Sequence, residues 1–106
     1  MNFIRNLAID EDQLDESLAK AKAKLDPEEV LQITYRIEPN WSLEDSIFFR
    51  VVLSDAAAEW SRLGDATRRV EDIVQSEVDA WHRWGYRTYF NYHSESEERD
   101  PAVAWK

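Results

Sequence analysis

Residues 31–38 alternate without a break. Leu31, Ile33, Tyr35 and Ile37 fall on one side; Gln32, Thr34, Arg36 and Glu38 fall on the other. A period of two marks a strand with one buried face, so the chain needs further strands and a layer to cover that face. A second β-prone run spans 46–54, after a connection over 39–45 that opens with Pro39-Asn40 and contains Trp41. Ile47, Phe49, Val51 and Leu53 share one face of it. The other face carries Ser46, Phe48, Arg50 and Val52 and is only partly polar. Two such runs joined by a short loop read as an antiparallel hairpin.

The covering layer is written in helical periodicity. Leu14, Leu18, Ala21 and Leu25 form one stripe over 11–25. Asp10 and Gln13 stand at capping-box spacing, with Ile9 and Leu14 at the staple positions. Acidic residues crowd the first turn and Lys20, Lys22 and Lys24 the last, the order that complements a helix dipole; Pro27 stops the helix. A second helical region covers 56–84. Asp55 can cap a short turn, Gly64 can interrupt, and a longer helix runs over 65–84 with Val70, Ile73, Val74, Val78, Trp81 and Trp84 along its stripe. One helix and two helices both fit this region. Gly85 stands where a left-handed residue commonly follows a helix. A third strand spans 86–93, with Thr88, Phe90 and Tyr92 competing with Tyr89 for the buried face.

The expected fold is therefore α+β, in the order α-β-β-α-β. It has a three-stranded, mainly antiparallel sheet with both helices on one face. The cleanly alternating first strand suits the centre, giving the order 2-1-3; the order 1-2-3 is the alternative. A crossover joining parallel strands is expected to be right-handed. With 106 residues and no linker or repeat, the chain reads as one compact domain over 1–94 and a mobile acidic tail over 95–106.

Composition removes several functions. Acidic residues number 22 against 13 Lys and Arg, a formal charge of −9. That balance opposes non-specific nucleic-acid binding and docking on an anionic membrane. No apolar run has the length of a membrane span, and Met1 to Ile9 has no secretory pattern, so a cytoplasmic protein is expected. There is no cysteine, which excludes disulfides, thiolate nucleophiles and cysteine zinc sites. Two glycines cannot build a phosphate cradle. His82 and His93 have no partner at ligand or triad spacing, and the acids over 10–16 read as a helical first turn rather than a metal loop. No cofactor, metal or catalytic residue is expected.

Aromatic residues are the least ordinary feature. Trp41, Trp60, Trp81, Trp84 and Trp105 are many tryptophans for this length. Trp81 and Trp84, three apart on a helix, either cap a small core or anchor a partner. The sheet face away from the helices should show Thr34, Arg36, Phe48, Arg50 and Val52, with Tyr89 and His93 if the register allows. Aromatic and apolar groups there call for a cover. The expectation is a non-catalytic protein-interaction module, with Arg36, Phe48, Arg50, Val52, Tyr89, Trp81 and Trp84 as partner-binding residues. It would work as a homodimer or as an acidic partner, of adaptor or toxin-neutralising type, for another protein. The alternatives are a small enzyme or ligand- or metal-binding domain using His82 or His93, and single-stranded RNA binding on the open sheet face.

Overall fold

The computed structural model describes residues 9–98. The leader reading of 1–8, the rest of the expected tail and Trp105 lie outside the described residues. The elements are α1 (Glu11–Ala23), β1 (Val30–Pro39), β2 (Asp45–Leu53), α2 (Trp60–Val78), α3 (Ala80–Trp84), β3 (Arg87–Ser94) and α4 (Glu95–Glu98). The class is α+β.

The start of α1 follows its sequence signals. The Asp10 side chain accepts a hydrogen bond from the Gln13 backbone N–H at 3.2 Å. This satisfies one of the donors that a helix N-terminus leaves without an internal partner. Ile9 packs against the core beside the stripe of Leu14, Leu18, Ala21 and Leu25. Removing such leucines from water stabilises by about 1.5–3 kcal/mol each.

Strand order differs from the expected 2-1-3. The sheet runs β1-β2-β3, with β1 and β2 antiparallel and β2 and β3 parallel. The central strand is therefore β2. Its non-core face holds Phe48, Arg50 and Val52, and nearly every residue from Ser46 to Leu53 is buried. A strand covered on both faces loses clean alternation, whereas an edge strand with a wet face keeps it. The perfect alternation of β1 thus marks the edge, and the mixed β2 the centre. The sheet has one antiparallel and one parallel pair, so it is mixed rather than mainly antiparallel.

Two local departures have clear causes. A register shift between Val30 and Gln32 bulges β1. Val30 then pairs with Leu53 and packs on the core, while Leu31 is displaced to solvent. A bulge leaves one residue out of the ladder. In the second helical region, α2 runs unbroken through Gly64 and the break comes at Asp79, which adopts φ 48° and ψ 47°. The region is two helices, divided there. Gly85, with φ 72°, ends α3 in the left-handed conformation its position calls for.

Ala66, Val70, Val74 and Val78 form the buried stripe of α2. With α1 they cover the sheet face of Ile33, Ile47, Phe49, Val51 and Leu53. Phe90 and Tyr92, not Tyr89, join this core from β3. Phe90 stacks on Phe49 with centroids 5.0 Å apart. The Tyr92 hydroxyl donates to the Glu71 carboxylate of α2 at 2.8 Å.

Candidate interaction surface

The register places the open sheet face row by row. Arg36, Phe48 and Tyr89 lie side by side across the three strands; Thr34, Arg50 and Asn91 form the next row, and Gln32, Val52 and His93 the third. Phe48 stacks on Tyr89 at 5.1 Å between centroids, with 21° between the planes. Trp41, from the β1–β2 loop, leans on the same Tyr89 ring at 5.4 Å and 60°. The three aromatics form one cluster at the loop end of the sheet. Offset and tilted aromatic pairs stabilise beyond the area they bury.

The loop that carries Trp41 is held by Asn40. This residue is only 7% exposed. Its side-chain oxygen accepts from the Ser42 and Glu44 backbone N–H groups at 2.8 and 3.1 Å. Its side-chain nitrogen donates to the Tyr89 hydroxyl at 3.2 Å. The main chain closes the loop again, Leu43 N–H to Asn40 carbonyl and Asn40 N–H to Glu44 carbonyl, both at 2.9 Å. An asparagine that bonds its own following backbone is a turn-former. Here it fixes a loop that exposes two large apolar side chains beside Ser42 and Glu44. Trp41 is 79% and Leu43 84% exposed. Leu43 also has φ 63°, a left-handed conformation that short hairpin loops normally assign to glycine. A branched side chain there is strained by roughly 1–2 kcal/mol.

Arg87 connects this end of the sheet to the helices. Its guanidinium lies over the Trp81 ring at 5.5 Å, and its Nε is 3.4 Å from Glu44 Oε1. Beside it, the α2–α3 junction and the start of β3 enclose a cavity of about 340 Å³ whose lining includes Val78, Trp81, His82 and Tyr86. That is at the small end for ligand sites. His82 Nδ1 sits 2.7 Å from Asp79 Oδ1, so this histidine has a carboxylate partner that sequence spacing did not reveal. Burial, and then the nearby Asp45 carboxylate, raise the Tyr86 phenol above its ordinary value. No group of three metal-ligating side chains occurs among the described residues. None of the described helices is long and apolar enough to cross a membrane.

The residues expected at a partner surface divide. Arg36, Phe48, Arg50, Val52 and Tyr89 share the open face, as the alternation implies. Arg50 and Val52 are nevertheless buried, and Arg50 pairs with Glu98 of α4. Trp81 is 46% exposed at the cavity rim, whereas Trp84 is 5% exposed and belongs to the core. The turn at Asp79 takes α3 off the α2 stripe, so the two tryptophans have different fates. Sequence reasoning missed Asn40, Leu43 and Arg87. Pro39-Asn40 was the available signal for a fixed turn; nothing local marks Leu43 as left-handed.

The first residues of the expected tail are structured. Ser94 and Glu97 form a reciprocal cap: Glu97 N–H donates to Ser94 Oγ at 3.1 Å, and Ser94 N–H donates to Glu97 Oε1 at 2.8 Å. Hydrogen bonding to the carboxylate by the Ser94 backbone N–H, and then by its hydroxyl, holds the Glu97 carboxyl below its ordinary range. The S-x-x-E spacing was legible as a capping box. Ser96 bonds Asp55 through both its N–H and its hydroxyl, at 3.0 and 2.7 Å.

Compared with family models, with curated proteins and with solved structures, the chain matches none.

Proposed function

We propose that this chain is a protein-interaction module and that the loop end of its sheet is the contact surface. The supporting observation is the Asn40-held loop, which keeps Trp41 and Leu43 in solvent with Leu43 in a strained conformation. A fixed loop loses little freedom on binding, which favours affinity. Backbone strain that the surroundings maintain is a feature of binding and switch sites. Tryptophan, tyrosine and arginine are the residue types that dominate interface energetics, and Trp41, Tyr89, Trp81 and Arg87 adjoin here.

The partner we favour is another protein with a basic surface. Two copies of a chain with charge −9 repel at long range, whereas a basic partner is drawn in and its encounter accelerated. Size exclusion with light scattering at two concentrations tests this first. A mass near the 12.5 kDa of one chain leaves the surface for a different protein; twice that mass assigns it to a second copy. A purified partner that binds wild type should then lose most of its affinity for Trp41→Ser with Leu43→Ser. Equal affinity for both proteins rejects the loop end as the contact.

A further inference from the structure

The open sheet face differs in charge from the rest of the molecule. It presents Arg36, Arg50 and Arg87 against Glu38, in a chain whose net charge is −9. Arg50 stands in the central strand and is 8% exposed. A buried guanidinium needs an anion, because an unpaired charge away from water is strongly destabilising. The anion is supplied by α4. After β3 ends beside Leu53, the chain turns back, Ser96 is held on Asp55, and Glu98 reaches Arg50. The segment 94–98 reads Ser-Glu-Ser-Glu-Glu, a short acidic peptide lying against the cationic face.

That occupancy is incomplete. Glu98 pairs with Arg50 through Nη2, while Arg50 Nε is buried without a hydrogen-bond partner among the described residues. Arginine binds a carboxylate best through two parallel N–H donors. Among the described residues the site therefore has an unused donor, Arg50 Nε, beside the pair with Glu98. We propose that the open sheet face is a binding site for an acidic peptide segment of another protein, and that α4 is its resident occupant, displaced when a better-placed carboxylate takes Arg50. This inference is independent of the loop-end reading.

An attached occupant acts at an effective concentration on the order of millimolar, so it masks the face against a weak ligand in solution. The test uses the full chain with Asp55→Ala and Glu98→Lys, which removes both bonds from Ser96 to Asp55 and the pair with Arg50. The probes are a labelled Ser-Glu-Ser-Glu-Glu peptide, its Ser-Gln-Ser-Gln-Gln counterpart, and a single-stranded RNA oligonucleotide, followed by fluorescence anisotropy. The freed protein should bind the acidic peptide about tenfold or more tightly than wild type, the factor by which a masked state lowers apparent affinity. The glutamine peptide should not bind, and Arg50→Gln in the freed protein should abolish the gain, while Trp41→Ser should leave it intact. Equal binding by wild type and freed protein overturns the proposal, as does preference for the glutamine peptide or for the RNA. Should Glu98→Lys unfold the chain, Glu98→Gln with Asp55→Ala removes the charge without reversing it and must shift affinity in the same direction.

Discussion

The Asn40 side-chain nitrogen lies 3.2 Å from the Tyr89 hydroxyl and, with the Trp41–Tyr89 and Glu44–Arg87 contacts, ties the β1–β2 loop to β3. The same side chain accepts two backbone N–H groups of its own loop. Asn40→Ala leaves those donors without their acceptor in a half-buried setting. The expected loss is about 1–3 kcal/mol, read as a lower urea midpoint with an unchanged slope. Tyr89→Phe removes a single bond and should cost about 0.5–1.5 kcal/mol.

Leu43 is placed to separate stability from binding. Its side chain is in solvent and its backbone is left-handed. Leu43→Gly relieves that strain and loses no buried contact. After the greater freedom glycine gives the unfolded chain, a net gain of about 0.5 kcal/mol is expected. A gain in stability alongside weaker partner binding marks Leu43 as a residue kept for contact. A loss in stability shows that the left-handed backbone is not strained by this side chain.

Trp81 and Trp84 are three residues apart and should respond differently. Trp84→Ala empties a core site and should cost about 3–5 kcal/mol. Trp81→Ala removes a half-exposed ring that Arg87 covers, and about 1 kcal/mol or less is expected. Thermal or urea unfolding of the two variants decides this; equal losses mean that α3 packs as a continuation of α2.

Alkaline conditions should weaken the fold through its tyrosines. Burial, with the hydrogen bond to Glu71, raises the Tyr92 phenol above its ordinary value near 10, and burial with Asp15 does the same for Tyr35. An acid that keeps its proton in the folded state but loses it in the unfolded state contributes stability that is complete below the unfolded value. That contribution is lost as pH rises past it. The unfolding midpoint should thus fall as pH climbs above about 10. Tyr92→Phe should flatten the fall, and an unchanged slope in that variant would assign it to other groups.

Much of the molecule is legible in its periodicities. The stripe of Leu14, Leu18, Ala21 and Leu25, the alternation from Ile33 to Glu38, and the division of β2 into a Phe49 face and an Arg50 face all follow from local spacing. Spacing is enough there because a helix or strand assigns each side chain to a face before any partner is chosen. The sharing of one open face by Arg36, Phe48, Arg50, Val52 and Tyr89 needed only one further fact, the register. Which strand took the centre, where Asp79 broke the helix and what covered Arg50 were decided by the tertiary structure. Each depends on surfaces distant in the chain: β2 is covered on both faces, α3 turns to bury Ala80 and Trp84, and Glu98 returns to a guanidinium 48 residues earlier, because a buried cation requires a counter-charge that periodicity does not encode.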